Sequence, residues 1–375
     1  MDVNSFVIGY TKGKQSAGGG GEGGIAGFHK VRFFNDDRTT LLYTVFVPHG
    51  ASAIYAGETP ASTLGIPLFK GFEPSATNVT ADLDCYAVYE LDVGTLNETS
   101  WENIALLSRL GTAQNYFAVG DVKMIHIQGT VGTLEVNGDY GVFILGFDHN
   151  EEIEGKGIHF GTFKTAVTNG KDICFVDGNY NGKSTDGTKY FNMSHWGRSG
   201  YGGWRGCDLR YDILGSTDVA PSGYGAYPTS GRTGYDATPT CATNPVANTL
   251  MAALPSDLRA VIKPMTKYAS KNTSNEGLTL DSVVPSIDYL PLPSTCEVFD
   301  SSTPSDYNQK RYAYFAAGNS VVKYKHKSTS YGAYWGLRTP DGTNNYFSSV
   351  YYTNGGYLTG GGCEYSGGLA PIFKV

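Results

Sequence analysis

Short stretches of alternating apolar and polar residues dominate the chain between His29 and Glu90. Val31-Arg32-Phe33 reads as one strand. Leu41 to Val47 reads as a second, ended by Pro48-His49-Gly50. Phe69-Lys70-Gly71-Phe72 and Asp84 to Glu90 read as two more, the last with both faces partly covered. The period then changes. Asn97 to Leu110 places Ile104, Leu106, Leu107 and Leu110 on one helical face, with Thr99 or Ser100 as cap and Glu102 in the first turn. Lys123 to Ile127 and Gly141 to Phe147 are apolar enough for buried strands. Ala247 to Tyr268 carries Leu250, Met251, Leu254, Leu258, Val261 and Ile262 at helical steps. Pro255 and Pro264 break it into two short helical pieces. The expected class is α+β, mostly β and loop-rich.

Composition sharpens this outline. Charged residues make up 17% and hydrophobic ones 40%, so the chain has enough apolar surface to collapse. Fifty glycines fit short strands and many turns. A net charge of -7 argues against nucleic acid, which needs clustered Lys and Arg. The densest basic run, Lys323 to Lys327, alternates with Tyr324 and His326 and reads as the polar face of a strand. No run of about 18 apolar residues is present, so no membrane insertion is expected. The six cysteines lack CxxC spacing, and free thiols are the simplest reading. Gly18 to Gly24 reads as a tether behind the mildly apolar Phe6-Val7-Ile8-Tyr10, either a docking peptide or a frayed end. Three regions result: residues 1–27 as peptide and linker, 28–92 as a small β domain, and 93–375 as the main domain. The Gly-, Ser-, Thr- and Pro-rich stretch around 199–248 is read as a long insertion.

Two sets of motifs resemble known families. Val47-Pro48-His49-Gly50, Gly57-Glu58-Thr59-Pro60, Phe69-Lys70-Gly71-Phe72 and Tyr86-Ala87-Val88-Tyr89-Glu90 resemble the small β-repeat of internalin-type surface proteins, which implies a β-grasp-like spacer. From about Trp101 onward, a second set occurs in order. It comprises Gly120-Asp121-Val122-Lys123, Ile144 to Asn150, Trp204 to Arg210 with Ile213-Leu214, Tyr334 to Pro340, and Gly368 to Phe373. Together these resemble a domain family of gut-bacterial surface proteins and their phages, related to the C-type-lectin-like fold in its formylglycine-generating-enzyme variant. Gly368-Leu369-Ala370-Pro371 stands where that family carries Gly-Val-Arg-Pro-Ala, so one Arg is missing. The resemblance implies ligand binding by a static scaffold rather than catalysis. It further implies a receptor-binding adhesin of a phage virion tail, made in the host cytoplasm. Such a protein would meet other tail proteins through its N-terminus and a host-surface glycan or protein through its C-terminal domain. A homotrimer is expected by analogy with tail adhesins. A head or tail decoration protein and a bacterial surface adhesin are the alternatives.

The end of the chain fits a binding surface on its own residues. Between Asp341 and Phe373 only Asp341 and Glu364 are charged, and ten of the 27 tyrosines follow Arg311. Tyr, Ser, Asn and Gly combine contact area with adaptable hydrogen bonds. Asn344, Asn345, Tyr346, Ser348, Tyr351, Tyr352, Asn354 and Tyr357 are therefore the candidate ligand-binding residues. A Tyr-rich oligomer interface is the competing reading. Trp335, Leu337 and Ile372 read as core anchors.

Other chemistry leaves little trace. Asp177-Gly178-Asn179-Tyr180-Asn181-Gly182 resembles half of an EF-hand loop, but Thr188 stands where the closing Glu belongs. Turn formation explains it, with calcium as the alternative, and no cofactor is expected. His126, His149, His159 and His195 are scattered without HExxH spacing. No G-x-S-x-G, P-loop or Rossmann motif occurs. Formylglycine-type oxidation needs paired cysteines, and Cys363 has none near it in sequence. A glycan-degrading enzyme would need a carboxylate pair in a cleft.

Overall fold

In the computed structural model, which describes residues 27–195, 203–217, 242–271, 280–301, 308–341 and 346–375, strand residues outnumber helical ones, 37% against 17%. The chain divides into two units, Met1–Asp92 and Val93–Val375. The docking peptide and glycine tether, the middle of the 199–248 insertion, and Asn344 and Asn345 lie outside the described residues.

The first unit is one mixed sheet of β1 (Phe28–Phe34), β2 (Leu41–Pro48), β3 (Leu68–Glu73) and β4 (Leu83–Glu90), in the order β2-β1-β4-β3. β1 and β4 run parallel, and the outer pairs are antiparallel. Side chains alternate across a strand. Val31 and Phe33 therefore enter a core with Val47, Val79 and Cys85, and Phe72 meets Phe33 edge-on at 4.8 Å. Arg32 faces the other way and grips its register partner Asp84 with two bonds of 2.6 and 2.7 Å.

The second unit begins with α1 (Trp101–Leu110). Ser100 accepts from the Asn103 N–H, and Gly111 ends the helix in the left-handed conformation, φ 67°. Its buried side packs Trp101 against Phe160 and Phe373. The main sheet follows: β5 (Val122–Val131), β6 (Leu134–Phe147), β7 (Ile158–Lys164) and β16 (Ile372–Lys374), antiparallel in the order β16-β7-β6-β5. Between β6 and β7 lies one helical turn, α2 (Glu151–Glu154). β8 (Ile173–Cys174) runs parallel to β11 (Lys323–Lys325), which pairs with β12 (Ser328–Ala333). A last antiparallel sheet has the order β13-β14-β15, from β13 (Trp335–Pro340), β14 (Tyr346–Tyr351) and β15 (Tyr357–Gly362). Trp335, Leu337, Val350 and Ile372 share one core with Phe143, Leu145 and Met265.

Three expectations need correction. The helical periodicity over 247–268 holds only in part. Leu250–Ala253 and Ser256–Val261 are helical, but Met265–Ser270 is strand β9, paired antiparallel with β10 (Val283–Asp288). Proline disfavours helix at the residue before it, and Pro264 ends the helical run there. Lys323 does not sit on a polar face. It is buried, donates to the Thr162 carbonyl at 2.7 Å, and lies over the Phe143 and Trp335 rings. The four scattered histidines are not all scattered in space, because His149 and His159 meet with ring centroids 5.4 Å apart. Five cysteines, Cys85, Cys174, Cys207, Cys296 and Cys363, are buried and free; Cys241 lies outside the described residues. Among the described residues, no helix is long and apolar enough to cross a membrane.

Candidate functional site

The motif Trp335 to Pro340 shows how local sequence builds the site. Trp335 enters the core and donates through its indole N–H to the Val321 carbonyl at 3.0 Å. Leu337 fills the core beside it. Arg338, fully buried, donates to Glu297 at 2.5 Å, to the Leu292 carbonyl at 2.8 Å and to Gln309 at 2.6 Å. Thr339 accepts from the Thr295 N–H, at the start of the helix Thr295–Phe299. Ser294 and Glu297 cap that helix reciprocally. β13 is thus pinned from behind by apolar packing and by a charged clamp.

The clamp continues inward. The Lys267 ammonium, on β9, reaches both Glu154 oxygens at 2.8 and 2.7 Å, Glu297 at 2.8 Å and the Tyr312 hydroxyl at 3.2 Å. Two carboxylates and two cations balance inside the protein, as buried charges require. Burial alone would raise the Glu297 carboxyl, but Arg338 and Lys267 outweigh it and hold it well below the usual range. For Glu154 burial wins over Lys267, and its carboxyl is raised. His149 stacks on Tyr312 with centroids 3.8 Å apart, and His159 meets the Tyr312 hydroxyl at 3.1 Å. Burial, helped by the Lys267 charge, lowers His149 to about 3 and His159 well below its ordinary value. Both rings are neutral at pH 7.

His149, Glu154 and Glu297 offer ligand atoms within 4.8 Å of one another, as a metal site would. The Lys267 ammonium already stands between the two carboxylates, so the cation of this cluster is the protein's own. A carboxylate pair is therefore brought together, but buried inside the protein rather than in a cleft. A second buried anchor serves the Trp204 to Arg210 motif. Asp288, fully buried, accepts from the Trp204 indole, the Arg210 guanidinium, Ser216 and Ser286 at 2.7–3.1 Å. The EF-hand-like turn is spent in the same way. Asp177 accepts from the N–H groups of Asn179 and Phe191 and from the Ser366 hydroxyl, at 2.6–2.9 Å.

On this frame sits the Tyr-rich hairpin. Tyr346, Tyr352 and Tyr357 are exposed, as is Asn354, whose left-handed φ of 54° turns the chain between β14 and β15. Tyr351 and Tyr352 stack at 4.9 Å, and Tyr351 meets Tyr357 at 5.4 Å. Ser348 is the exception among the candidate residues. It is 5% exposed and, two residues from Val350, shares the core-facing side of β14, so it is not a surface contact. The alternate residues Phe347 and Ser349 line a pocket of about 400 Å³ including its open mouth. Tyr334, Tyr365, Met193, Leu292 and five glycines complete most of its wall. The Tyr334 phenol donates to the Ser366 carbonyl, and burial pushes it up to about 12, so it stays neutral.

The pocket and the inner clamp are absent from the candidate list drawn from sequence. A signal for the clamp exists in Trp-Gly-Leu-Arg-Thr-Pro, but none exists for Lys267 or Glu154. A family model, described as a domain of unknown function, DUF6273, matches residues 182–375, more than half of the chain. The chain belongs to the DUF6273 family. The DUF6273 region holds every pocket-lining residue together with Lys267, Asp288, Glu297 and Arg338. His149, Glu154 and His159 come from the strands and turn that precede it. No curated protein and no solved structure matches the chain.

Proposed function

We propose that this chain is a recognition protein of a phage virion tail, attaching to a host-surface glycan or protein through its C-terminal domain. One observation carries this reading. Exposed Tyr346, Tyr352 and Tyr357 stand on a hairpin whose Val350 is locked into the core and whose Phe347 and Ser349 line a pocket. Stiff aromatic side chains on a rigid support bind with little ordering cost. The buried clamp supports recognition over catalysis, because its acids and bases are engaged with one another away from the pocket. The strand-rich and loop-rich second unit is compatible with the C-type-lectin-like fold. The mixed sheet β2-β1-β4-β3 likewise suits a β-grasp-like spacer. In this scheme residues 1–27 dock to other tail proteins, the assembly is a homotrimer, and no cofactor is needed. The test uses labelled full-length protein on intact host cells. Saturable binding that is lost in Tyr352→Ala/Tyr357→Ala supports attachment. Absence of binding by assembled, folded protein overturns it.

A further inference from the structure

We infer that the open edge of β2 receives the chain's own residues 5–10 as a fifth strand of the first unit's sheet. The inference stands on the first unit alone and does not depend on the attachment reading. The register of β2 on β1 shows which backbone groups are open. In an antiparallel pair, opposite residues alternate between sharing hydrogen bonds and sharing none. The Gly27 carbonyl accepts from the His49 N–H at 3.1 Å, which makes these two a bonded pair. Lys30 lies opposite Phe46, and its N–H goes instead to the Asp82 carboxylate at 2.8 Å. Lys30–Phe46 and Arg32–Thr44 are therefore unbonded pairs. The N–H and C=O groups of Thr44 and Phe46 point away from β1, and among the described residues they have no hydrogen-bond partner.

An exposed apolar edge is a template for another strand, and folded chains blunt or cover it. The opposite edge, β3, is blunted. Lys70 stands in it, paired with Glu90, and a bulge at Gly71, φ 125°, interrupts its ladder. β2 has neither device. Leu41 to Val47 hold no charge, glycine or proline, and Leu41 and Phe46 are exposed. Tyr43, Val45 and Val47 face the core. Residues 5–10 match this edge in pattern. Phe6, Ile8 and Tyr10 alternate with Ser5, Val7 and Gly9, so the first set can extend the core beside Tyr43 and Val45. They are uncharged, as the edge is. Reach favours the chain's own segment over any other strand. Sixteen residues, 11–26, join Tyr10 to Gly27, which is bonded to His49 beside the end of β2. A Gly-rich chain of that length spans about 22 Å, and Leu42 to Pro48 measures about 20 Å. A segment so tethered stands at an effective concentration of about 1 mM, far above that of a second copy in a micromolar solution. Docking of residues 1–27 to other tail proteins then requires this strand to leave β2 first.

The experiment measures hydrogen exchange at single amides of the full chain, in wild type and in Val7→Pro/Ile8→Pro. Proline cannot donate to a ladder, and of two adjacent prolines one falls on the paired side in either register. In wild type the Thr44 and Phe46 amides should exchange at least about tenfold more slowly than in the variant. Alternate amides across residues 6–10 should exchange at least about tenfold more slowly than in a free peptide of that sequence. The Tyr43 and Val45 amides, bonded to β1, should stay slow in both proteins and show that the sheet is intact. The protection should not change when the protein is diluted across the micromolar range. Equal exchange of Thr44 and Phe46 in the two proteins, or free-peptide rates across residues 6–10, overturns the inference. Protection that rises with protein concentration also overturns it, in favour of a second copy on the edge. Cell binding has no part in the readout, so failure here leaves the attachment reading untouched.

Discussion

Arg338 and Lys267 are the residues on which the rest of the second unit leans. Each is fully buried and each holds Glu297. Removing one member strands an opposite charge in the interior, which costs about 3–5 kcal/mol. Glu297→Gln and Lys267→Met should each lower stability by that order in urea unfolding, while exposed Lys183→Met should change it by less than about 0.5 kcal/mol. The histidines add a pH dependence. His149, at about 3 in the folded state, stays neutral where the unfolded chain, near 6.5, takes up a proton. His326, lowered to about 4 mainly by burial, behaves in the same way. The unfolded state thus binds more protons as pH falls from about 6.5 toward 3, and stability declines across that window. Thermal melts between pH 7 and 4 should show a falling midpoint, and His149→Phe should flatten the decline. A midpoint that holds steady to pH 4 would contradict the neutral buried rings.

Strands and the first helix were legible because one face of each is apolar at a fixed period. Ser100, one of the two caps read from the sequence, does cap α1, and Ser100→Ala should cost about 1 kcal/mol. The limit of that reading appears at β9. Met265, Lys267 and Ala269 all point inward, and the middle residue is a lysine that pattern reasoning puts in water. Its partners are 113 and 30 residues away, on α2 and on the helix Thr295–Phe299, so no local signal announces them. The candidate site was legible in composition but not in facing. The Tyr and Asn residues of the hairpin were identified, yet only its register separates Ser348, turned to the core, from Ser349, turned to the pocket. Val350→Ala should therefore destabilise by about 2 kcal/mol, whereas Tyr352→Ala and Tyr357→Ala should stay within about 0.5 kcal/mol of wild type in the same melts.

At the scale of the whole molecule, division of labour follows from the two separate cores. The first unit buries Val31, Phe33 and Cys85 around a four-stranded sheet. The second carries the clamp, the pocket and the hairpin. The family match starts at residue 182, yet the clamp closes only with Glu154 from α2. The DUF6273 region by itself would thus leave Lys267 short of one carboxylate. Host-cell binding tests the central claim most directly: labelled full-length protein compared with Tyr352→Ala/Tyr357→Ala across a concentration series. The account predicts saturable binding by the wild type, abolished in the variant while its melting temperature is unchanged. Wild-type protein that is folded and assembled but binds no cells, or a variant that binds as well as wild type, would contradict it.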